Sequence, residues 1–110
     1  MTIRRLGLAV LCLAAPVQAR AACDLDTLVG YQIVWIKTVY GYQDGSPTIH
    51  KGFDGCEPDR RIVFNDQTTL RCVGSGGRHT DATKAYLFAR SNLDIKMCVG
   101  DDLFEMSPLR

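Results

Sequence analysis

The residues of this 110-residue chain whose types permit chemistry are five cysteines, two histidines and the carboxylates Asp54, Glu57 and Asp59 around Cys56. Cys12 lies in an apolar leader, which leaves Cys23, Cys56, Cys72 and Cys98 at separations of 33, 16 and 26 residues. Zinc sites pair their ligands a few residues apart, and a dithiol redox centre uses Cys-x-x-Cys. Neither spacing occurs here. An even number of cysteines in an exported chain points to structural disulfides. Four thiols allow three pairings. Cys56 with Cys72 is favoured because it closes a short loop around one hairpin, and Cys23 with Cys98 would then tie the start of the domain to a late strand.

Hydrolytic chemistry needs a nucleophile, a base and a group to orient them, and no Gly-x-Ser-x-Gly or His-Glu-x-x-His pattern is present. His50 follows Pro47-Thr48-Ile49 and His79 follows Gly77-Arg78, both in polar surroundings typical of solvated loops. Asp54, Glu57 and Asp59 read as turn formers with Arg60 and Arg61 as exposed partners. Acid–base work by these carboxylates or by His79 is the enzyme alternative. Asp101-Asp102 reads as a hairpin turn, since calcium loops add oxygen ligands at alternating positions. Ser75-Gly76-Gly77-Arg78 can bare backbone N–H groups to an anion, but no helix follows it as a phosphate loop requires. It reads as a flexible connection. No cofactor is expected.

Compartment follows from the first residues, MTIRRLGLAVLCLAAPVQARAAC. Arg4 and Arg5, the apolar stretch Leu6 to Ala15 and the small-x-small triplet Val17-Gln18-Ala19 form a secretory signal peptide. Cleavage is expected after Ala19, with cuts as late as Ala22 also permitted. The apolar run ends at Pro16, well short of the roughly 20 residues a spanning helix needs, so no transmembrane segment is predicted. Arg20 opposes a lipoprotein anchor on Cys23. Loss of Arg4 and Arg5 leaves 11 basic against 12 acidic side chains in residues 20–110. With no basic footprint, a nucleic-acid partner is not expected. The domain of residues 20–110 is periplasmic or secreted in this reading, and small enough to need covalent help for its core.

The elements that would position these residues are strands. After a turn of helix near Asp24 to Gly30, the segment Tyr31 to Tyr42 is dense in Tyr, Ile, Val, Trp and Thr, which suit a pleated surface. Apolar groups fall on both of its faces, as in a strand that is covered twice or bends around a barrel, with Gly41 as a bend point. Gln43 to Gly55 has loop composition. Arg60 to Phe64 and Thr68 to Val73 form a hairpin around Asn65-Asp66-Gln67, with Ile62, Phe64, Leu70 and Cys72 facing inward. Gly74 to Gly77 breaks the sheet, His79 to Thr83 stays polar, and Lys84 to Arg90 pairs with Leu93 to Val99. Leu103 to Met106 closes the list of about six strands. An all-β domain results, either a small antiparallel barrel or a two-layer sandwich, stabilised by disulfides.

Cys23-Asp24-Leu25, Gly30-Tyr31-Gln32-Ile33-Val34, Phe53-Asp54-Gly55-Cys56-Glu57, Arg61-Ile62-Val63-Phe64 and Lys96-Met97-Cys98-Val99 together resemble a family of small exported bacterial proteins of uncharacterised function. The run Ser75-Gly76-Gly77-Arg78-His79 is similar in kind to the Ser-Gly-rich loop that precedes an aromatic residue in periplasmic inhibitors of c-type lysozyme, with His79 in the aromatic's place. The second resemblance implies an eight-stranded barrel and an inhibitor's function. The residues themselves predict a non-enzymatic domain that acts by contact with a protein or envelope component. Trp35 and Tyr31 are assigned to the core. Tyr40, Tyr42, His50, Ser75, Arg78 and His79, beside the two polar segments, are the candidate partner-binding residues.

Overall fold

A computed structural model of the protein describes residues 23–109. The expected signal peptide and its cleavage site lie outside the described residues. Nine strands follow a short 3-10 helix at Leu25–Leu28. They are β1 (Gln32–Gln43), β2 (His50–Lys51), β3 (Phe53–Cys56), β4 (Arg61–Phe64), β5 (Thr69–Cys72), β6 (Gly76–Thr80), β7 (Lys84–Ser91), β8 (Asp94–Val99) and β9 (Asp102–Pro108). Asp24 caps the helix, its side chain accepting from the Asp26 amide at 3.0 Å.

Six strands close a barrel in the order β1-β4-β5-β9-β8-β7, and β7 returns to β1. All of these pairings are antiparallel. Closure depends on the length of β1. Its first part, from Gln32 to Thr38, pairs with β7, and its second part, from Val39 to Gln43, pairs with β4. Register shifts between Ile33 and Trp35 and between Val39 and Gly41 let one strand turn from one neighbour to the other, as bulges do at barrel corners. Gly41 is the bend the sequence suggested. A Cβ there would run into the His50 carbonyl of β2, which lies directly beside it.

The interior is filled by side chains, as in any barrel of this size. Val39, Ile62, Phe64, Cys72, Ala85, Leu87, Met97, Val99, Phe104 and Met106 form one buried cluster, with Leu70 and Ile95 packed against it. The inward set expected for the β4–β5 hairpin is therefore in place. A second cluster lies outside the barrel wall. Residues 23–31 cross the outer face, and Cys23 and Leu28 pack with Phe88 and Cys98 beneath Tyr31, Tyr86 and Leu103. Tyr31 fixes this crossing by donating its hydroxyl to Asp94 at 2.6 Å.

Both favoured disulfides are present: Cys23–Cys98 holds the outer crossing and Cys56–Cys72 joins β3 to β5. The four sulfurs are thus committed to staples rather than metal. Two disulfides suggest an oxidising, non-cytoplasmic environment. Among the described residues no helix is long and apolar enough to cross a membrane.

Two segments expected to be irregular contain strands, while Asp44 to Ile49 and the ends of the second stay irregular. Gln43 to Gly55 contains β2 and the start of β3, and Gly74 to Thr83 contains β6; β3 and β6 pair as a separate two-stranded ribbon. Composition misled here because this ribbon uses its glycines in place of β-formers. Gly55 sits at φ +80° at the irregularity between Asp54 and Cys56, where a Cβ would approach the Gly76 carbonyl to 2.7 Å. Only a residue without a side chain fits that bulge. The ribbon plugs one end of the barrel. Phe53 is 1% exposed and meets Phe104 edge to face at 5.3 Å.

Candidate functional site

The β4–β5 hairpin is short, and it pairs only with the second part of β1. Gln32 to Ile36 therefore run on past its turn, bonded to β7 on one side alone among the described residues. The consequence is an unusual surface. Ile33, Trp35 and Ile36 are 57%, 59% and 58% exposed, and Val34 beside them is 38% exposed. Single exposed apolar residues are ordinary, whereas four in succession on one edge mark a contact surface or an aggregation liability. The assignment of Trp35 to the core is thereby corrected. Apolar groups on both faces suited a strand covered twice or bent around a barrel; β1 is a barrel strand, but from Ile33 to Ile36 its side chains stand exposed on both faces.

Beside this edge the end of the barrel opposite the ribbon stays open. A cleft of about 630 Å³ enters it, walled by Val34 and Trp35 on one side and by Thr69, Leu70 and Pro108 on the other. Phe64, Leu87 and Ile95 contribute its apolar lining, and Arg90, Ser91 and Asn92 its outer rim. Its size falls in the range of small-ligand or side-chain pockets.

The charges of this rim are paired internally. Lys37 donates to Thr68 Oγ1 at 2.7 Å and lies 2.9 Å from Asp66 Oδ2, with its ammonium 5.1 Å from the centre of the Trp35 ring. Hydrogen bonds from the Thr68 hydroxyl, then from Lys37 and the Thr68 amide, bring the Asp66 carboxyl down to about 2. In the hairpin turn the positive backbone angle falls on Gln67, at φ 71°. At the other corner Arg90 binds Asp94 Oδ2 through Nε at 2.9 Å and Nη2 at 2.7 Å, its guanidinium above Tyr31. The Tyr31 hydroxyl, and after it Arg90, holds Asp94 below the usual carboxylate range.

The candidates singled out from sequence lie at the plugged end. Tyr42 is half-buried between the Arg60 guanidinium, 4.3 Å from its ring centre, and the His50 ring at 5.1 Å. Arg60 is itself buried, contrary to its expected place on the surface. It forms a two-pronged pair with Asp44 at 2.7 and 2.8 Å and donates from Nη1 to the carbonyls of Asp54 and Gly55 at 3.1 Å. The Arg60 hydrogen bond also depresses the Asp44 carboxyl. This arginine orders the segment between β1 and β3 from within, with Tyr42 stacked on it and the His50 ring on the other face of Tyr42. Tyr40 remains exposed, with the Lys51 ammonium 5.7 Å from its ring.

Pairing of β3 with β6 sets His79 opposite Asp54. Its Nδ1 is 3.9 Å from Asp54 Oδ1 and its Nε2 is 3.7 Å from Asp81 Oδ1, while the ring stays 70% exposed. Such contacts in open water are weak. Arg78 is exposed on the same strand, and Ser75 borders a hollow of about 270 Å³ between Gly74–Gly77 and β9. Asp59 sits in a turn at φ 68° and pairs with Arg71. Apart from exposed Tyr40, the sequence candidates thus divide into a stack around Arg60 and an exposed polar ribbon with its adjoining loop, and none of them lines the open cleft.

Val34 and Trp35 were missed for a reason visible in the lengths of the elements. A 12-residue strand beside hairpin strands of four residues each cannot be covered along its whole length. That mismatch was the available signal.

No protein-family model, curated protein or solved structure matches the chain.

Proposed function

We propose that this is an exported, non-enzymatic binding domain that works by contact with a protein, and that the contact is made through the open end of its barrel. One observation carries the reading. Ile33 to Ile36 stand exposed along an uncovered strand edge, beside an apolar cleft that the rest of the fold leaves unfilled. Two disulfides support export and a rigid scaffold suited to presenting such a surface.

The test compares the two ends. Immobilised domain is exposed to an envelope extract, and retained proteins are compared between the unaltered chain, a Trp35→Ala/Ile36→Thr variant and an Arg78→Ala/His79→Ala variant. Retention lost only with the first variant supports the open end. Loss only with the second moves the contact to the β3–β6 ribbon and overturns the proposal. Turnover of a substrate that survives purification and disappears with Asp54→Asn or His79→Ala overturns the non-enzymatic reading.

A further inference from the structure

We infer that the open end accepts a strand from its partner: an extended, uncharged segment of five or six residues that pairs through its backbone with the free edge of β1. This inference rests on the open-end contact proposed above and specifies the partner's chemistry.

The edge sets the first requirement. Between Gln32 and Ile36, β1 bonds to β7 on one side and to no strand on the other among the described residues. Alternate N–H and C=O groups of a strand point to each side, so the uncovered side offers a row of donors and acceptors. An acyl chain laid there would remove those groups from water without replacing their hydrogen bonds, at about 1–3 kcal/mol for each. An extended peptide replaces them, as in other cases of strand addition to a sheet edge. Five residues at about 3.4 Å each give an edge of roughly 17 Å, which fixes the length of the segment.

The faces set the second requirement. Successive side chains of an added strand point to opposite faces. One set would enter the cleft towards Leu87 and Ile95, and the other would lie next to Ile33 and Ile36 on the outside. Both sets meet apolar surface. The third requirement is electrostatic. The two cations of the cleft, Lys37 and Arg90, are already held by Asp66 and Asp94. A charged group on the incoming segment would lose water without finding an unpaired partner, so an uncharged segment fits best.

Exposed edges are normally guarded by lysine, proline or an inward charge. This one carries a single lysine at its end, and Lys37 is bent back onto Thr68 and Asp66 rather than set across the edge. The edge is left open to pairing.

Trp35 is the sole tryptophan of the chain and lines the cleft, so its emission reports occupancy directly. The mature full-length domain is titrated with a capped six-residue peptide of alternating valine and threonine. Two further peptides carry N-methyl groups on alternate amides, in opposite phases. The expected result is a saturable blue shift that methylation in one phase weakens about tenfold or more, while methylation in the other phase changes it less than about threefold. Equal binding of both methylated peptides would show side-chain packing without strand pairing; it overturns this inference and leaves the open-end contact standing. A shift with phosphatidylcholine vesicles but not with the peptide assigns the edge to lipid and also overturns it. No shift with either probe removes strand addition, and the retention comparison between the two ends then decides the contact separately.

Discussion

At one end of the barrel Phe53 and Cys56 reach from the β3–β6 ribbon into the core, one packing on Phe104 and the other bonded to Cys72. At the other end Trp35 stands more than half exposed above a cleft floored by equally apolar side chains. The same type of residue is thus buried at one end and left in water at the other. Burying a large apolar side chain contributes about 1.5–3 kcal/mol, so a fold that had only stability to satisfy would cover both ends. The difference teaches that the plug supplies the stability which lets the open end remain uncovered.

The largest effect should come from breaking the plug. Phe53→Ala is expected to cost about 3–5 kcal/mol, the usual range for emptying a fully buried aromatic site. Removing the Cys56–Cys72 bridge by paired alanine substitution should cost about 3 kcal/mol, from the loop of 16 residues it closes. In a domain of this size each change lowers the melting temperature by more than about 10 °C, read by circular dichroism. A loss below about 1 kcal/mol for both would show that the ribbon is not a structural plug. Gly55→Ala comes next, at roughly 1–3 kcal/mol, because it combines a left-handed backbone with a 2.7 Å approach to the Gly76 carbonyl. An unchanged denaturation midpoint would mean that β3 relaxes freely.

Acid sharpens the comparison because carboxylates clamp both ends. Asp44 at the plugged end and Asp66 and Asp94 at the open end are all held below their ordinary value of 3.8. A carboxyl depressed in the folded state binds its proton more readily when unfolded, so its contribution is complete above that ordinary value and disappears as pH falls through the folded one. For Asp66 the loss runs from about 4 down to about 2. Melting temperatures measured between pH 5 and pH 2 should be level at first and fall below about pH 4, and Asp66→Asn should make the fall shallower. An identical slope in that variant would remove Lys37 and Thr68 as a clamp on the hairpin.

What the sequence made legible was the barrel wall. β-branched and aromatic residues marked β1, alternation placed Ile62, Phe64 and Cys72 inside, and the short loop it closes favoured Cys56–Cys72, which left Cys23 for Cys98. Local signals sufficed for the strands, whose type and inward face are set by neighbours in sequence, whereas the Cys23–Cys98 bridge spans 75 positions and followed only from the cysteines left over. The plug was hidden because its strands are short and depend on glycine at a bulge. Arg60 was hidden for another reason: a buried arginine is recognisable only through the partners brought to it, and Asp44 lies 16 positions away. The open cleft was least legible, since periodicity reports which faces are apolar but not whether anything covers them.

The smallest expected effect on stability is also the most informative. Replacing Ile33 and Ile36 by threonine keeps the β-branch that suits a strand and removes apolar surface that the fold leaves in water. If nothing within the domain covers this edge, neither the folded nor the unfolded state is strongly favoured by the change. Each substitution should stay within about 0.5 kcal/mol in denaturant unfolding, with an unchanged m-value because the area exposed on unfolding hardly alters. Binding should respond in the opposite way, since an added strand would bury the outer face beside both isoleucines. A variant that unfolds as easily as Phe53→Ala would show that the edge is covered within the domain itself, and the contrast between the two ends would vanish. Unchanged stability with lost peptide binding separates the surface that holds the fold together from the surface the fold exists to present.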